Sequence, residues 1–149
     1  MLGKNLQSPA RARAHGGRMT RHDSHAFHLS DTYLQLLDGG AAKPIPVDAE
    51  FWAKIGEREA LHAGRMVGLF HMNKSPDHRE VHPRGDEVLI LLSGAVDVVL
   101  EEELGERVIE LRDQGACIVP RGVWHGQIVR APSVMIFITP GEGTQHRAS

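Results

Sequence analysis

Two distant segments of the sequence each place a histidine beside apolar sequence. The first runs from Glu80 through His82 to Glu87, directly ahead of the most apolar run of the chain, residues 88–92. The second ends in His125, after a turn marked by proline and glycine. Imidazole nitrogens and carboxylate oxygens bind divalent transition metals such as Fe, Mn, Zn, Ni and Cu. We therefore predict that the two segments together form a metal site.

The spacing within the first segment predicts which side chains lie together. Alternate residues of a β-strand point to the same face, so His78, Glu80 and His82 would share one face. A row of exposed polar side chains would also explain this pattern. Glu87 favours a site, because a carboxylate at the start of a buried strand is costly without a cation as its partner. If His82 and His125 occupy neighbouring strands, the set suits Fe(II) and accepts the other metals.

From residue 62 onward, short apolar runs alternate with turn signals. The predicted strands cover residues 66–72, 78–82, 87–92, 95–100, 107–111, 116–120, 125–130 and 134–139. Ser93-Gly94 and Ala131-Pro132 are among the turns that are predicted to separate them. Many short strands without a long helix predict an all-β antiparallel sandwich or barrel.

Residues 26–61 are expected to combine helical and extended segments that pack on the barrel. Ser30 is a helix-capping residue, and Tyr33, Leu34 and Leu37 have helical spacing, which predicts a short helix that ends at the glycines after it.

Two prolines separate this segment from a second predicted helix. They make residues 43–47 a connector or an edge strand. Asp48 then caps a short helix in which Phe51, Trp52 and Ile55 share one face. We expect these residues to pack in the core or to form a lid.

The chain has 149 residues, 41% of them hydrophobic, which is enough for one domain with its own core. Residues 1–25 carry a charge of +4 out of a net −2, which leaves −6 on the remainder. An acidic body disfavours nucleic-acid binding. We predict that the basic residues 1–25 are disordered and that residues 141–149, with His146, are a loose tail.

The sequence also bears on the compartment. No apolar stretch approaches the roughly 18 residues of a membrane span, and the N-terminus lacks the apolar region of a signal peptide. The single cysteine, Cys117, lies in an apolar run, which predicts a buried thiol and a reducing compartment. We expect a cytoplasmic protein with no membrane partner.

The first segment resembles the first motif of the cupin family. That motif has two histidines separated by one residue, then a glutamate and, after a fixed interval, a glycine. His82, Glu87 and Gly94 match it, and Glu80 stands where the first histidine would be.

The second segment resembles the second cupin motif, a glycine followed by Pro-x-Gly-x-x-His. Gly115 and the run from Pro120 to His125 match it, with a glycine-to-proline interval that is one residue short. Val129 replaces the asparagine that usually follows. The resemblance covers residues 62–140 and implies a single-domain cupin barrel, a jelly-roll-like double-stranded β-helix, with short N-terminal helices before it.

The resemblance implies a metal bound by His82, Glu87 and His125. Glu80 is the candidate for the fourth ligand and His78 the second candidate; with three ligands only, Glu80 could instead act as a general base. The resemblance favours an enzyme acting on a small molecule, a dioxygenase or an isomerase. The alternative is a non-catalytic ligand-binding or sensor protein that has lost its metal. Exposed strand edges predict a homodimer.

Overall fold

The computed structural model describes residues 25–149, so the predicted disorder of residues 1–25 falls almost entirely outside the described part of the chain. There, nine strands form one antiparallel sheet, which confirms the all-β prediction. The strands are β1 (Thr32–Leu36), β2 (Ala42–Pro46), β3 (Arg65–Met72), β4 (His78–Val81), β5 (Glu87–Glu102), β6 (Gly105–Leu111), β7 (Ala116–Val119), β8 (His125–Pro140) and β9 (Gln145–Ala148).

The two longest strands, β5 and β8, organise the sheet. They pair with each other over most of their length, from Leu100 opposite His125 to Val88 opposite Ile138. β5 also pairs with β6 and β7, and β8 also pairs with β3 and β4. Both segments that carry candidate ligands are therefore attached to this central pair.

The predicted turns at Ser93-Gly94 and Ala131-Pro132 are wrong, because β5 and β8 each continue through them. The pairing register shifts at this point instead, which marks β-bulges. Gly94 has a φ of 92°, and a Cβ atom there would lie 2.3 Å from the carbonyl oxygen of Pro132. A glycine is needed where the two strands approach this closely. The glycine that predicted a turn therefore marks a β-bulge.

The sheet is not closed. The hydrogen-bonded path runs β2-β1-β3-β8-β4-β9, and the strands at its two ends do not pair with each other. The expected barrel is thus an open one. Within the described residues, none of the helices has the length and apolar character that a membrane span requires.

The predicted helix around Tyr33 is wrong, because this segment is the strand β1. Tyr33 and Gln35 are its buried residues, and they alternate as a strand requires. The Gln35 amide donates hydrogen bonds to the backbone oxygens of Ala60 (2.7 Å) and Ala63 (3.0 Å). The buried Gln35 interrupts the alternation of apolar and polar residues from which a strand is predicted. The adjacent leucines have helical spacing, so the sequence pattern favours a helix.

The second predicted helix is present but short. It comprises α1 (Phe51–Lys54) and the 3-10 segments Ile55–Glu57 and Glu59–Leu61. Its N-cap is Glu50, so the predicted cap at Asp48 is wrong; Asp48 instead accepts a hydrogen bond from the Glu50 backbone N–H at 3.1 Å, ahead of the helix. Phe51 is fully buried and packs edge-on against Tyr33, with ring centroids 5.4 Å apart.

Part of the predicted loose tail is a strand, because residues 145–148 form β9, which pairs with β4. All four side chains of β9 are exposed, and a segment of three polar residues and one alanine carries no hydrophobic pattern from which a strand could be predicted. Arg147 places its guanidinium 4.3 Å from the ring centroid of Trp124 and pairs with Glu101. These contacts add to the backbone pairing with β4.

Candidate metal centre

The fold brings together four side chains that the sequence nominated as metal ligands. Glu80 on β4 lies directly opposite His125, the first residue of β8, and Glu87 is the first residue of β5. His82 follows β4 by one residue. One ligand atom from each residue lies within 4.8 Å of all the others. We call Glu80, His82, Glu87 and His125 the inner group.

The imidazole nitrogens of the inner group lie close to both oxygens of each carboxylate. The Nε2 atom of His125 is 2.9 Å from Glu87 Oε2 and 3.6 Å from Glu80 Oε1. The Nε2 atom of His82 is 3.5 Å from Glu87 Oε1 and 3.9 Å from Glu80 Oε2. Ligand atoms bound to one ion at about 2.1 Å lie roughly 3.0 to 4.2 Å from one another. The four side chains therefore surround a volume that one metal ion fits.

Three of these buried atoms have no hydrogen bond in the described part of the chain: His82 Nε2, Glu87 Oε2 and His125 Nε2. The 2.9 Å approach of His125 to Glu87 is close but not aligned as a hydrogen bond. Buried polar atoms are nearly always satisfied, and each exception calls for an explanation. Because all three atoms converge on one point and all are metal-ligand atoms, the residues present fit a bound cation.

Both imidazoles are oriented through their other nitrogen. His82 Nδ1 lies 2.9 Å from the hydroxyl of Thr144, which itself donates to the carbonyl oxygen of Pro140 at 3.3 Å. The hydroxyl therefore accepts from Nδ1–H of His82. His125 Nδ1 lies 3.2 Å from the carbonyl oxygen of Val123, which can only accept. In the neutral rings both Nε2 atoms thus have a free lone pair, as in metal-bound histidines.

Glu87 is oriented in the same way. Its Oε1 atom accepts a hydrogen bond of 2.5 Å from the hydroxyl of Thr139, which leaves Oε2 facing His125. Thr139 and His125 lie at opposite ends of β8, and a straight strand would separate them by roughly 45 Å. β8 must therefore fold back on itself, and the bulges near Ser133 provide the bend.

His125 and the two carboxylates shift one another's pKa. Burial by itself would raise the pKa of Glu80, but His125 and His146 lower it below its usual range. Burial would likewise raise the pKa of Glu87, but His125 and His82 lower it. Burial acts to lower the pKa of His125, yet Glu80 and Glu87 raise it to about 10. The two carboxylates are therefore ionised at neutral pH and give the inner group the negative charge that attracts a cation.

The remaining candidate, His78, is not part of the inner group. It lies instead with Glu80 and His146, whose ligand atoms are also within 4.8 Å of one another. His146 was not nominated from the sequence, yet its Nε2 atom is 3.3 Å from Glu80 Oε2. The pairing of β9 with β4 places it there. No hydrophobic pattern in the sequence predicts that pairing.

Cys117 is buried and unpaired, as predicted from its apolar neighbours. Burial, and secondarily the charge of Glu87, raises the pKa of its thiol to about 11. The thiol is therefore protonated at neutral pH and is neither a nucleophile nor a metal ligand in this form.

The antiparallel sheet and the convergence of the two motif segments agree with the cupin architecture that the resemblance implies. No family model matches the sequence, and no curated protein matches it either. Solved structures do show similarity. A cupin-2 domain protein from Shewanella frigidimarina is 21% identical over 51% of this chain and 70% of its own, with a TM-score of 0.44.

Two enzymes are also similar in structure. Oxalate oxidase in complex with the substrate analogue glycolate is 18% identical over 54% of this chain and 44% of its own, with a TM-score of 0.45. Hydroquinone 1,2-dioxygenase from Sphingomonas with bound 4-hydroxybenzoate is 14% identical over 50% of this chain and 58% of its own, with a TM-score of 0.43. The likeness is one of fold, at TM-scores below 0.5, and no activity is inferred from it.

Proposed function

We propose that the inner group binds one divalent transition metal ion, Fe, Mn, Zn, Ni or Cu, and that the loaded protein is an enzyme acting on a small molecule. His82, Glu87 and His125 are the proposed core ligands, and Glu80 is the fourth. The observation that carries this proposal is the convergence of three buried ligand atoms that have no hydrogen bond among the described residues. Two carboxylates offset the two positive charges of the ion, and two neutral imidazoles complete the set.

The accessible side of the inner group is the side of Glu80. Its side chain is 24% exposed, whereas those of His82, Glu87 and His125 are exposed by 3% or less. A small molecule would therefore approach past Glu80, while the other three residues exclude water from the opposite side. As a fourth ligand, Glu80 would orient the substrate by limiting the open positions; if it is not a ligand, its carboxylate is placed to accept a proton from the substrate.

The class of reaction follows from the ligand set. A divalent ion in a nitrogen and oxygen site supplies a Lewis acid, and Fe, Mn or Cu can also exchange electrons with dioxygen. An oxygenase-like or isomerase-like reaction is therefore the proposed activity.

The alternative is a non-catalytic protein that binds a small ligand or acts as a sensor. It is favoured by two surface cavities of the described residues, of about 230 and 240 Å³, because neither is lined by a residue of the inner group. It is also favoured by the glutamate that stands in place of the first motif histidine. Under this alternative a ligand binds in stoichiometric amount and no product forms.

Elemental analysis of protein purified without chelator tests the metal site. We expect about one equivalent of a transition metal in the inner group, retained against dialysis. The wild type is compared with His82→Ala and Glu87→Gln, and His71→Ala serves as the matched control because His71 is an exposed histidine on β3. Loss of the tightly bound metal in the first two variants only is the expected result.

The enzyme is then tested by loading the protein with each metal in turn. Dioxygen consumption and isomer interconversion are followed over a panel of small molecules, with Glu87→Gln as the background. A wild type that stays without metal after every loading would contradict the site. A loaded wild type that binds a panel member without turnover would favour the non-catalytic alternative.

A further inference from the structure

Glu80 lies between two pairs of histidines. In the pairing of β4 with β8 it stands opposite His125, and in the pairing of β4 with β9 it stands opposite His146. His125, Glu80 and His146 thus form a row across three adjacent strands. The strand alternation places His78, two residues before Glu80, on the same face of β4.

The outer part of this row is a compact set of ligand atoms. We call His78, Glu80 and His146 the outer group; their ligand atoms lie within 4.8 Å of one another, and the rings of the two histidines are 5.3 Å apart. The side chains of His78 and His146 are 44% and 52% exposed. The outer group is therefore open to solvent, in contrast to the inner group.

Each oxygen of Glu80 lies nearest a different histidine, although Oε2 is also 3.9 Å from His82 Nε2 of the inner group. Oε1 is 3.6 Å from His125 Nε2, while Oε2 is 3.3 Å from His146 Nε2. A carboxylate with imidazoles on both sides can bind one ion through each oxygen, and paired ions in proteins lie about 3.5–4 Å apart.

β9 is held firmly enough to position a ligand. Its four residues pair with β4 in continuous register, and the Ser149 backbone N–H donates to Asp77 O at 3.1 Å just beyond it. On the face opposite His146, Arg147 packs on Trp124 and pairs with Glu101. His146 is thus fixed opposite Glu80 by its neighbours, independently of any contact of its own ring.

We propose that the outer group is a second site for a divalent transition metal, adjacent to the inner one, with Glu80 as a ligand shared by both. Two imidazoles and one carboxylate accept Fe, Zn, Cu or Ni, and Zn²⁺ and Cu²⁺ serve as the probes below. Because the outer histidines are exposed, the remaining coordination positions are open to water or to a small anionic or chelating ligand. The outer site goes beyond the inner site proposed above and has its own ligands, His78 and His146.

Zinc titration of metal-free, untagged protein in competition with a chromogenic chelator tests the proposal. The wild type is expected to bind two equivalents, and His146→Ala and His78→Ala one each. His82→Ala, which removes an inner ligand, is expected to bind one, and the double variant His82→Ala/His146→Ala none. The control His71→Ala should bind two. Circular dichroism checks the fold of each variant, and exposed His146 is tolerant of replacement.

The outcomes separate the two sites. One equivalent that is lost only in His82→Ala would overturn the outer site and leave the inner site standing. One equivalent that is lost only in His146→Ala would overturn the inner site and leave the outer one. If the wild type binds one equivalent and both single variants, His82→Ala and His146→Ala, lose it, the protein has a single mixed site and the proposal is overturned. An equivalent that the double variant retains would also overturn the proposal.

A spectroscopic measurement tests whether Glu80 is shared. Two Cu²⁺ ions joined by one carboxylate broaden each other's electron paramagnetic resonance signal. We expect a broadened signal from wild type with two equivalents of Cu²⁺ and a sharp one from His146→Ala with one. A sharp signal from fully loaded wild type would overturn the sharing of Glu80.

Discussion

β5 carries two buried carboxylates, and the protein surrounds them differently. Glu87 is 2% exposed and Asp97 is 3% exposed. Each oxygen of Asp97 accepts a hydrogen bond from an arginine: Oδ1 from Arg112 Nη2 at 2.8 Å and Oδ2 from Arg130 Nε at 2.6 Å. Glu87 has no arginine or lysine partner among the described residues; it faces two imidazoles and one hydroxyl, and its Oε2 atom has no hydrogen bond.

The charge of a buried carboxylate is neutralised permanently at Asp97 and reversibly at Glu87. Guanidinium groups stay charged at every physiological pH and match both oxygens of a carboxylate, so Asp97 is permanently neutralised. Imidazoles can lose their proton and present a lone pair, so the surroundings of Glu87 can exchange a proton for a metal ion. We infer that Asp97 stabilises the fold and that Glu87 serves a site.

The largest expected effect comes from replacing Glu87. We expect Glu87→Gln to weaken metal binding by more than about 100-fold, because loss of a ligand exceeds the 10- to 100-fold effect of losing a residue that only orients one. Asp97→Asn, on the same strand, should leave metal affinity unchanged. Affinity is measured by chelator competition on both variants. Equal effects of the two substitutions would refute the distinction drawn between the two carboxylates.

The next effect concerns the hydroxyl that orients Glu87. Thr139→Val keeps the side-chain shape and removes the hydrogen bond to Glu87 Oε1. We expect a 10- to 100-fold loss of metal affinity, because the carboxylate is then free to rotate away from the ligand position. Thr32→Val is the matched control, since Thr32 is hydrogen-bonded only to exposed Asp31 among the described side-chain contacts. If both variants bind metal equally well, Thr139 has no orienting role.

Asp97, the carboxylate paired with two arginines, is expected to affect stability. Asp97→Asn should lower the free energy of unfolding of the metal-free protein by about 1–2 kcal/mol. Each hydrogen bond to a charged group contributes roughly 1.5–3 kcal/mol net to the free energy of unfolding. Both arginines are partly exposed, and solvent screening reduces this contribution. Urea denaturation measures it. An unchanged free energy of unfolding in Asp97→Asn would contradict the assignment of Asp97 to the fold.

The inner group could be predicted from sequence because its residues lie beside strong signals. His82 and His125 each adjoin a proline- and glycine-containing turn, and Glu87 opens an apolar run. These local patterns predict where strands begin, and residues beside loops often carry function because the strands hold those loops in place. The strand alternation also placed Glu80 on the face of His82.

The parts that could not be predicted depend on contacts that no local pattern encodes. β1 buries Gln35, and that is possible only because Ala60 and Ala63, far along the chain, accept its hydrogen bonds. Gly94 is a turn residue by type, yet pairing between β5 and β8 converts it to a bulge. His146 acquires its position from β4, because β9 has no hydrophobic pattern of its own. In each case tertiary pairing decides what local propensity leaves undetermined.

The smallest expected effect is the pH dependence that belongs to Asp97. The hydrogen bonds from Arg112, and then those from Arg130, hold the pKa of its carboxyl below the usual value of about 3.9. A group whose pKa is lower in the folded than in the unfolded state contributes stability above its unfolded pKa, and that contribution is lost as the pH falls towards the folded pKa.

Asparagine does not titrate, so the difference in unfolding free energy between wild type and Asp97→Asn isolates this term. The difference should be constant from pH 8 to about pH 5 and should shrink below about pH 4. Urea denaturation of both metal-free proteins across this range measures it, and the other carboxylates cancel because both proteins carry them. A difference that stays constant into strong acid would mean that the arginines stabilise Asp97 through packing and not through its charge, and the contrast with Glu87 would then lose its electrostatic basis.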